Sequence, residues 1–350
     1  MAELPPERNI PAAWYGADMA GRRAEWLYEL SGADIAELEA ALSQTIDKGL
    51  DIARLTKTDF PLPALGSRLE ALRKELIEGR GFGVLRGLPV ARYSQREAAV
   101  IFFGIGSYLG TPRSQNAQGH MLGHVRDLGL KSDDPDVRIY QTSARQTFHT
   151  DSSDIVGLLC LKVAKAGGLS VLVSAVTIFN EMRRSRPDLL ERLFDPIATD
   201  RRGEVPEGMK PFFQIPVFSW FEGFLTCLYQ RQYIDSAQRF PDAPRLTPAH
   251  VEALDLFDEL ANDPDLNLAM QLEPGDMQFV YNHSLLHDRT GFEDWADPAA
   301  RRHLLRLWLT APGDRPLPPV FAERFGSVAI GDRGGIVVPG TTLCVPLDRP

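Results

Sequence analysis

Apolar side chains recur at helical spacing in three parts of the first third of the chain. The segment from Arg22 to Lys48 is rich in helix formers, and its apolar positions share one face at roughly helical spacing. Ser94 to Leu109 shows a similar pattern and stops at a Gly-Thr-Pro sequence. A further helix is predicted over Ala64 to Gly79, with one apolar stripe made of Leu65, Leu69, Leu72 and Leu76.

Short apolar runs separated by turns dominate the rest of the chain. The first follows Gly81, and two helical stretches, Ala175 to Phe194 and Thr247 to Ala261, interrupt the later ones. Because strands and helices do not alternate regularly, the pattern favours an α+β, mainly β fold, an antiparallel barrel or jelly roll decorated by helices, over a doubly wound sheet. Strands are predicted at Arg138 to Gln141, Thr147 to Asp151, Val156 to Lys162, Ser170 to Val173, Leu266 to Leu272, Met277 to His283 and His303 to Thr310.

The chain shows no internal repeat, low-complexity segment or clear linker, so we expect one domain over residues 1–350. Within it we expect a helical N-terminal region over about 1–80, a strand-rich core with helical insertions over about 81–312, and a C-terminal extension over 313–350.

Composition narrows the class of partner. A net charge of -9 without a Lys/Arg-rich run argues against nucleic acid and against an anionic membrane, so a small-molecule partner is expected. Cys160, Cys227 and Cys344 are far apart and form no C-x-x-C pattern, which fits a reducing compartment. Because no signal-like or membrane-spanning apolar run occurs, we expect a cytoplasmic protein.

The tripeptide His149-Thr150-Asp151 is the first candidate for chemistry. In an extended strand its histidine and aspartate project to the same side and can reach one ion. Two histidines and one carboxylate on one face of a metal form the facial triad of non-haem Fe(II) oxygenases. A second histidine is therefore needed. His283, His287 and His303 are the candidates, and strand periodicity cannot separate the first two because they would share a face.

Two arginines follow these histidines. Arg302 and Arg306 would share one face of a strand with Leu304, whereas Arg301 would face solvent. A guanidinium is permanently charged and can pair two N–H donors with both oxygens of a carboxylate, which makes it a natural receptor for a dicarboxylic acid.

A known family has these motifs in the same order. The run Phe148-His149-Thr150-Asp151, the later Gly167-Gly168-Leu169-Ser170, and Asn282 through His287 to Arg302 and Arg306 resemble the taurine-dioxygenase-like (TauD/TfdA, clavaminate-synthase-like) oxygenases, from about Gly81 to Pro312. The resemblance implies a double-stranded β-helix (jelly-roll) core, an Fe(II) ion, 2-oxoglutarate and O2 as cosubstrates, and succinate and CO2 as coproducts. It makes a homo-oligomer reasonable.

The resemblance also assigns roles to residues. It implies that His149, Asp151 and His287 bind iron, that Arg302 and Ser170 bind 2-oxoglutarate, with Ser170 in place of the family's usual Thr, and that Arg306 contacts the substrate's anionic group or the C1 carboxylate of 2-oxoglutarate. Because Asp151 supplies the carboxylate, no position is vacated for chloride, and the halogenating variant of this chemistry is disfavoured. We expect oxidation, most simply hydroxylation, of an unactivated C–H bond of a small molecule, with anionic compounds among the candidates.

Residues that select the substrate are predicted from position alone. Asn116 and His124 lie in a polar, glycine-containing stretch typical of a lid, and Arg145 and Gln146 directly precede the metal-binding tripeptide. Two other functions use the same residues. One is a jelly-roll sensor that binds metal and 2-oxoglutarate without turnover, and the other is a zinc hydrolase with a metal-bound water, in which Arg302 and Arg306 would have no obvious task.

Overall fold

The structure is a computed structural model that describes residues 4–130, 137–338 and 340–347. Its helices are α1 Gly16–Gly21, α2 Arg23–Trp26, α3 Gly32–Asp47, α4 Leu65–Ile77, α5 Gln95–Leu109, α6 Ala175–Ser185, α7 Pro187–Arg192, α8 Arg231–Ala237, α9 Pro248–Asn262 and α10 Ala322–Phe325. Its strands are β1 Leu27–Glu29, β2 Phe82–Arg86, β3 Thr111–Arg113, β4 Gly123–Val125, β5 Gln146–His149, β6 Ile155–Lys162, β7 Ala166–Gly167, β8 Ser170–Ser174, β9 Ile197–Asp200, β10 Phe212–Ile215, β11 Phe218–Phe221, β12 Phe224–Cys227, β13 Asn267–Met270, β14 Met277–Tyr281, β15 Leu285–Arg289, β16 Phe292–Glu293 and β17 His303–Thr310.

Two sheets form the core. The major sheet has the order β1-β2-β14-β6-β17-β3, with β4 also paired to β17, and the minor sheet has the order β13-β8-β15-β5. Only the β1–β2 pair is parallel in these two sheets as described. The sheets face each other, because Val156, Val280 and Trp308 of the major sheet pack in one cluster with Leu172 and Leu285 of the minor sheet. This is the expected helix-decorated jelly roll, and the predicted fold class is confirmed.

Side chains along β17 point alternately to the outside and to the inside of the barrel. Leu305, Leu307 and Leu309 are fully buried and pack with the cluster formed by α3, α4 and α5. Arg306 and Trp308 therefore point to the other face, between the two sheets. A second layer of helices, α6, α7 and α9, covers the outer face of the minor sheet. Both faces of β17 are thus buried, which keeps Arg306 in a fixed position.

Several local predictions differ from the structure. The helix expected over Arg22 to Lys48 is interrupted, because Leu27 to Glu29 pairs with β2 as an edge strand, a long-range contact that local spacing does not reveal. Residues Ile139–Gln141 form a single 3-10 turn instead of a strand. The strand expected to reach His283 ends at Tyr281, and a turn separates it from β15, which carries His287. Within the part of the chain that the structure describes, no helix has the length and apolarity needed to cross a membrane.

Candidate active site

His149, Asp151 and His287 meet at one end of the minor sheet. β5 and β15 are antiparallel neighbours, and His149 lies directly opposite His287 in their register, with ring centroids 4.1 Å apart. Asp151 lies just beyond the end of β5. Its Oδ1 is 3.9 Å from Nε2 of His149, and its Oδ2 is 3.6 Å from Nε2 of His287. Strand pairing therefore brings together three groups that are distant in sequence.

The geometry of the three groups fits one metal ion. Ligand atoms bound to a common ion at about 2.1 Å can be at most about 4.2 Å apart, and both measured distances lie below that limit. Nδ1 of His149 is 2.8 Å from the Thr147 carbonyl oxygen, which accepts a hydrogen bond from the Nδ1–H group. In this tautomer Nε2 carries the lone pair, and it faces the site. Burial and the neighbouring His287 lower the pKa of His149 to about 3, so the ring is neutral as a ligand must be.

Asp151 is held as an oriented carboxylate. Its Oδ2 accepts a 2.9 Å hydrogen bond from the Trp308 indole, and its backbone N–H donates to Oδ1 of Asn282 at 2.9 Å. Burial opposes ionisation, but Arg306, whose Nη1 is 3.6 Å from Oδ2, and the adjacent His287 lower the pKa of Asp151 below its usual value. The ligand therefore carries a negative charge.

The two rival histidines are engaged elsewhere. Nε2 of His283 is 2.8 Å from Oδ1 of Asp154. This group resembles a second metal cluster with Asp314, but the fully buried Arg333 guanidinium already binds both carboxylates, at 2.8 and 2.7 Å. We therefore regard it as a structural charge network.

His303 begins β17, whose other end, at Thr310, contacts Asp154 of this network. Its Nε2 is 2.8 Å from Nδ1 of His124, and burial lowers the pKa of His303 to about 3. Of the three candidates left open by periodicity, His287 alone among the described residues joins His149 and Asp151.

A cavity extends from the triad toward Arg302, and we call it the Arg302 cavity. Apolar side chains such as Val156, Leu158 and Leu304 line it, together with Ser170, whose Oγ donates to Oε1 of Gln278 at 2.8 Å. Among the described residues Nη1 of Arg302 is buried without a hydrogen-bond partner. Burial lowers the pKa of Arg302 to about 10. A buried donor of this kind is costly unless an anion occupies the cavity, which fits a carboxylate of 2-oxoglutarate.

A second cavity borders Asp151, and we call it the Arg324 cavity. Arg306, Tyr140 and Gln146 line both cavities and so form their common wall. Trp308 and Asp151 connect the Arg324 cavity to the triad. Its remaining cationic side chains are Arg138, Arg201, Arg202 and Arg324.

Of the residues predicted to contact substrate, Gln146 and Arg306 line the cavities. The Gln146 amide donates to Nε2 of His149 at 2.9 Å, so it must move when a metal ion binds that nitrogen. Arg145 lines neither cavity. Its guanidinium instead donates to Asp288 at 2.8 Å and to Asn262 at 2.6 Å.

The two predicted lid residues also lie away from both cavities. Oδ1 of Asn116 accepts from the backbone N–H groups of Gln118 and His120, which closes a local turn. His124 contacts His303 and the Pro346 carbonyl. These geometries give no support to a substrate contact by Asn116, His124 or Arg145.

Sequence reasoning missed the arginines of the Arg324 cavity and Arg289, which lines the Arg302 cavity. Arg201 and Arg202 follow β9, and Arg324 lies in α10, so no short spacing links them. The only available signal was the basic pair Arg201-Arg202 next to a predicted strand-rich region.

Residues 48–308 match the family described as taurine catabolism dioxygenase TauD, TfdA family. The chain is 33% identical over 304 residues to FR-33289 synthase of Streptomyces rubellomurinus, covering 84% of this chain and 88% of the relative. It is 33% identical over 183 residues to a uridine-5'-phosphate dioxygenase of Amycolatopsis sp, covering 49% of this chain and 64% of the relative. A solved structure of asparagine oxygenase with Fe(II), hydroxyasparagine and succinate is 18% identical and superposes with a TM-score of 0.63 over 81% of this chain and 93% of that one.

The chain belongs to the TauD/TfdA family. The predicted reaction type is confirmed: the protein is an Fe(II)- and 2-oxoglutarate-dependent dioxygenase.

Proposed function

We propose that the protein hydroxylates an unactivated C–H bond of a small anionic molecule bound in the Arg324 cavity. The supporting observation is that two cavities meet at the triad. One ends at a buried arginine whose Nη1 lacks a partner among the described residues, and the other is lined by arginines. In the overall reaction, substrate, 2-oxoglutarate and O2 give hydroxylated substrate, succinate and CO2.

Each protein group has a task in this scheme. His149, Asp151 and His287 would hold Fe(II), which when bound supplies activation of O2 and oxidative decarboxylation of 2-oxoglutarate. Arg302 would pair with the distal carboxylate of 2-oxoglutarate, and Ser170 would offer it a hydroxyl group. The indole of Trp308 keeps Asp151 oriented, and the apolar wall of the Arg302 cavity excludes water.

The common wall between the cavities separates the two organic molecules. Arg306 is fixed there by a 2.8 Å hydrogen bond from its Nε to Oε1 of Gln115, and its guanidinium lies 4.6 Å from the Tyr140 ring and 4.9 Å from the Trp308 ring. An immobile cation in this position can orient an anion on either side without paying side-chain entropy. It would thereby direct the C–H bond of the substrate toward the triad.

Incubation with Fe(II), 2-oxoglutarate, O2 and a panel of small carboxylates, sulfonates and phosphorylated compounds tests the proposal. We expect at least one anionic compound to gain one oxygen atom by mass spectrometry, with an equal amount of succinate. Hydroxylation restricted to uncharged compounds would contradict the proposed substrate class.

A further inference from the structure

The Arg324 cavity has an excess of positive charge. Its acidic wall residues are Asp151, which belongs to the triad, and Asp200, which lies 3.2 Å from Arg239 and accepts a hydrogen bond from Ser236. Arg138 is paired with Glu204 at 2.8 Å. Among the residues that the structure describes, no carboxylate lies within 4.0 Å of the guanidinium groups of Arg201 and Arg324, so neither cation forms a direct ion pair there.

Arg201 and Arg324 are each anchored by hydrogen bonds, and both contact the Phe213 ring. Nε of Arg201 donates to the Lys210 carbonyl at 3.0 Å, and its Nη2 donates to the Glu323 carbonyl at 2.6 Å. Nε of Arg324 donates to Oγ of Ser152 at 2.7 Å. Both guanidinium groups lie against the Phe213 ring, at 5.4 and 5.6 Å from its centroid. These contacts leave Nη1 of Arg201 and both Nη atoms of Arg324 without a hydrogen-bond acceptor in the described chain.

This arrangement favours an anionic ligand. The side chain of Arg201 is only 3% exposed. Burial lowers the pKa of Arg201, and burial together with Arg138 and Arg201 lowers the pKa of Arg324 to about 10. Like charges in a buried site repel each other, and an anion between them would remove that cost. The two cations on the cavity wall, with N–H groups that no described residue accepts from, therefore favour binding of an anionic group there.

We propose that the substrate carries a phosphoryl group, as a phosphate monoester or a phosphonate, that binds between Arg201 and Arg324. This inference rests on the proposed function, which assigns the cavity to the substrate. A phosphoryl group carries about -1.5 to -2 charges at neutral pH and has three acceptor oxygens, whereas a carboxylate or a sulfonate carries one charge. Two planar guanidinium forks offer parallel N–H donors to such a group.

The position of the two arginines is distinct from that of Arg306. Arg324 is anchored to Ser152, the residue that directly follows Asp151, and Arg201 contacts the same Phe213 ring as Arg324. The phosphoryl group would thus be held on the β9–β10 and α10 side of the cavity, while Arg306 lies in the wall shared with the Arg302 cavity. Specificity for a phosphoryl group would then come from residues outside the jelly-roll strands that carry the triad.

The test uses the full-length protein loaded anaerobically with Fe(II) and 2-oxoglutarate. Calorimetry measures binding of four probes: methyl phosphate, methylphosphonate, methanesulfonate and acetate. We expect both phosphoryl probes to bind at least tenfold more tightly than the other two, and their relative affinity distinguishes an ester from a phosphonate substrate. Equal or weaker binding of the phosphoryl probes would overturn the proposal.

Substitutions of Arg324 test whether this arginine binds the phosphoryl probes. Arg324→Gln should weaken methylphosphonate binding about 10- to 100-fold, as expected for loss of charge-assisted hydrogen bonds, and Arg324→Lys should restore part of it. Arg54→Gln removes an exposed arginine of the same charge and should change nothing. Phosphoryl binding that survives Arg324→Gln unchanged would contradict the proposal.

Binding of 2-oxoglutarate separates this inference from the proposed function. Arg324 does not line the Arg302 cavity, so Arg324→Gln should retain the affinity for 2-oxoglutarate and the thermal stability of the parent protein. If the parent protein fails to bind 2-oxoglutarate, the proposed function fails. If 2-oxoglutarate binds and phosphoryl probes are not preferred, only the phosphoryl site is overturned.

Discussion

At the residue scale, the most telling group is Arg302, a buried cation whose Nη1 has no acceptor in the described chain. Its guanidinium lies 5.2 Å from the Phe292 ring, and Gly168 packs against it so closely that a Cβ there would lie 3.1 Å from Nε. Gly168 has a φ of +70°, which also favours glycine. The Gly167-Gly168 turn thus packs against Arg302 and restricts its side chain to a position where it can bind an anion.

Arg302→Gln should weaken 2-oxoglutarate binding, because the amide keeps hydrogen-bonding ability but loses the charge. We expect a loss of about 10- to 100-fold in affinity, the range for charge-assisted hydrogen bonds, measured by anaerobic calorimetry with Fe(II). Arg301→Gln is the matched control, since Arg301 is exposed on the neighbouring position. An unchanged affinity in Arg302→Gln would show that the dicarboxylate binds elsewhere.

At the element scale, buried ion pairs connect the C-terminal segment to the strands of the core. Arg333 bridges Asp154, just before β6, and Asp314, just after β17, and His283 completes the group. Removing one partner of such a network leaves an uncompensated buried charge, which costs about 3–5 kcal/mol. The network therefore positions the turn between β14 and β15, and with it the strand that carries His287.

Asp154→Asn should lower the free energy of unfolding at neutral pH by about 3–5 kcal/mol in urea denaturation. Although burial acts in the opposite direction, His283 and Arg333 lower the pKa of Asp154 to about 2. The stabilisation is therefore present above the unfolded pKa near 4 and is lost as the pH falls toward 2. The difference between parent and variant should shrink over this range.

Asp332→Asn is the control for this network. Asp332 pairs with Arg113 at 2.8 Å but is 79% exposed, so its loss should cost less than about 1 kcal/mol. A similar cost for both variants would contradict a structural role of the buried network.

Close packing of α5 gives a second prediction at this scale. A Cβ on Gly104 would lie 2.3 Å from the ring of the fully buried Phe60, whereas a Cβ on Gly32 in α3 would meet nothing within 4 Å. Gly104→Ala should destabilise the protein by about 1–3 kcal/mol through overpacking, despite its better helix propensity. Gly32→Ala should be neutral or slightly stabilising. Urea denaturation of both variants checks the opposite signs.

At the scale of the whole molecule, features set by local spacing could be predicted from the sequence, whereas contacts between distant elements could not. The i, i+2 spacing of His149 and Asp151 and the alternation around Arg306 were readable from strand periodicity, although β5 ends at His149 and Asp151 lies just beyond it. Strand periodicity could not choose His287 over His283, and only the family resemblance did, since the choice depends on the turn after Tyr281 and on pairing with β5. The role of Arg201 and Arg324 was equally hidden, because elements more than a hundred residues apart create their common cavity.

Ligand binding should stabilise the assembled barrel. Fe(II) would connect β5 with β15, and 2-oxoglutarate would connect both to Arg302 beside β17, so both sheets would be joined. At 100 times the dissociation constant a ligand adds about 2.7 kcal/mol to the folded state. Thermal unfolding under anaerobic conditions should therefore show a higher Tm with Fe(II) and 2-oxoglutarate together than with either alone, and equal Tm values would contradict joint binding.

The most direct test of the central claim is the metal dependence of 2-oxoglutarate turnover. We predict that chelation abolishes formation of succinate and CO2, that Fe(II) with O2 restores it whereas Zn(II) does not, and that Asp151→Ala remains inactive with Fe(II). Succinate formation that persists in Asp151→Ala, or a hydrolytic activity supported by Zn(II) without O2, would contradict the assignment of His149, Asp151 and His287 as the iron site.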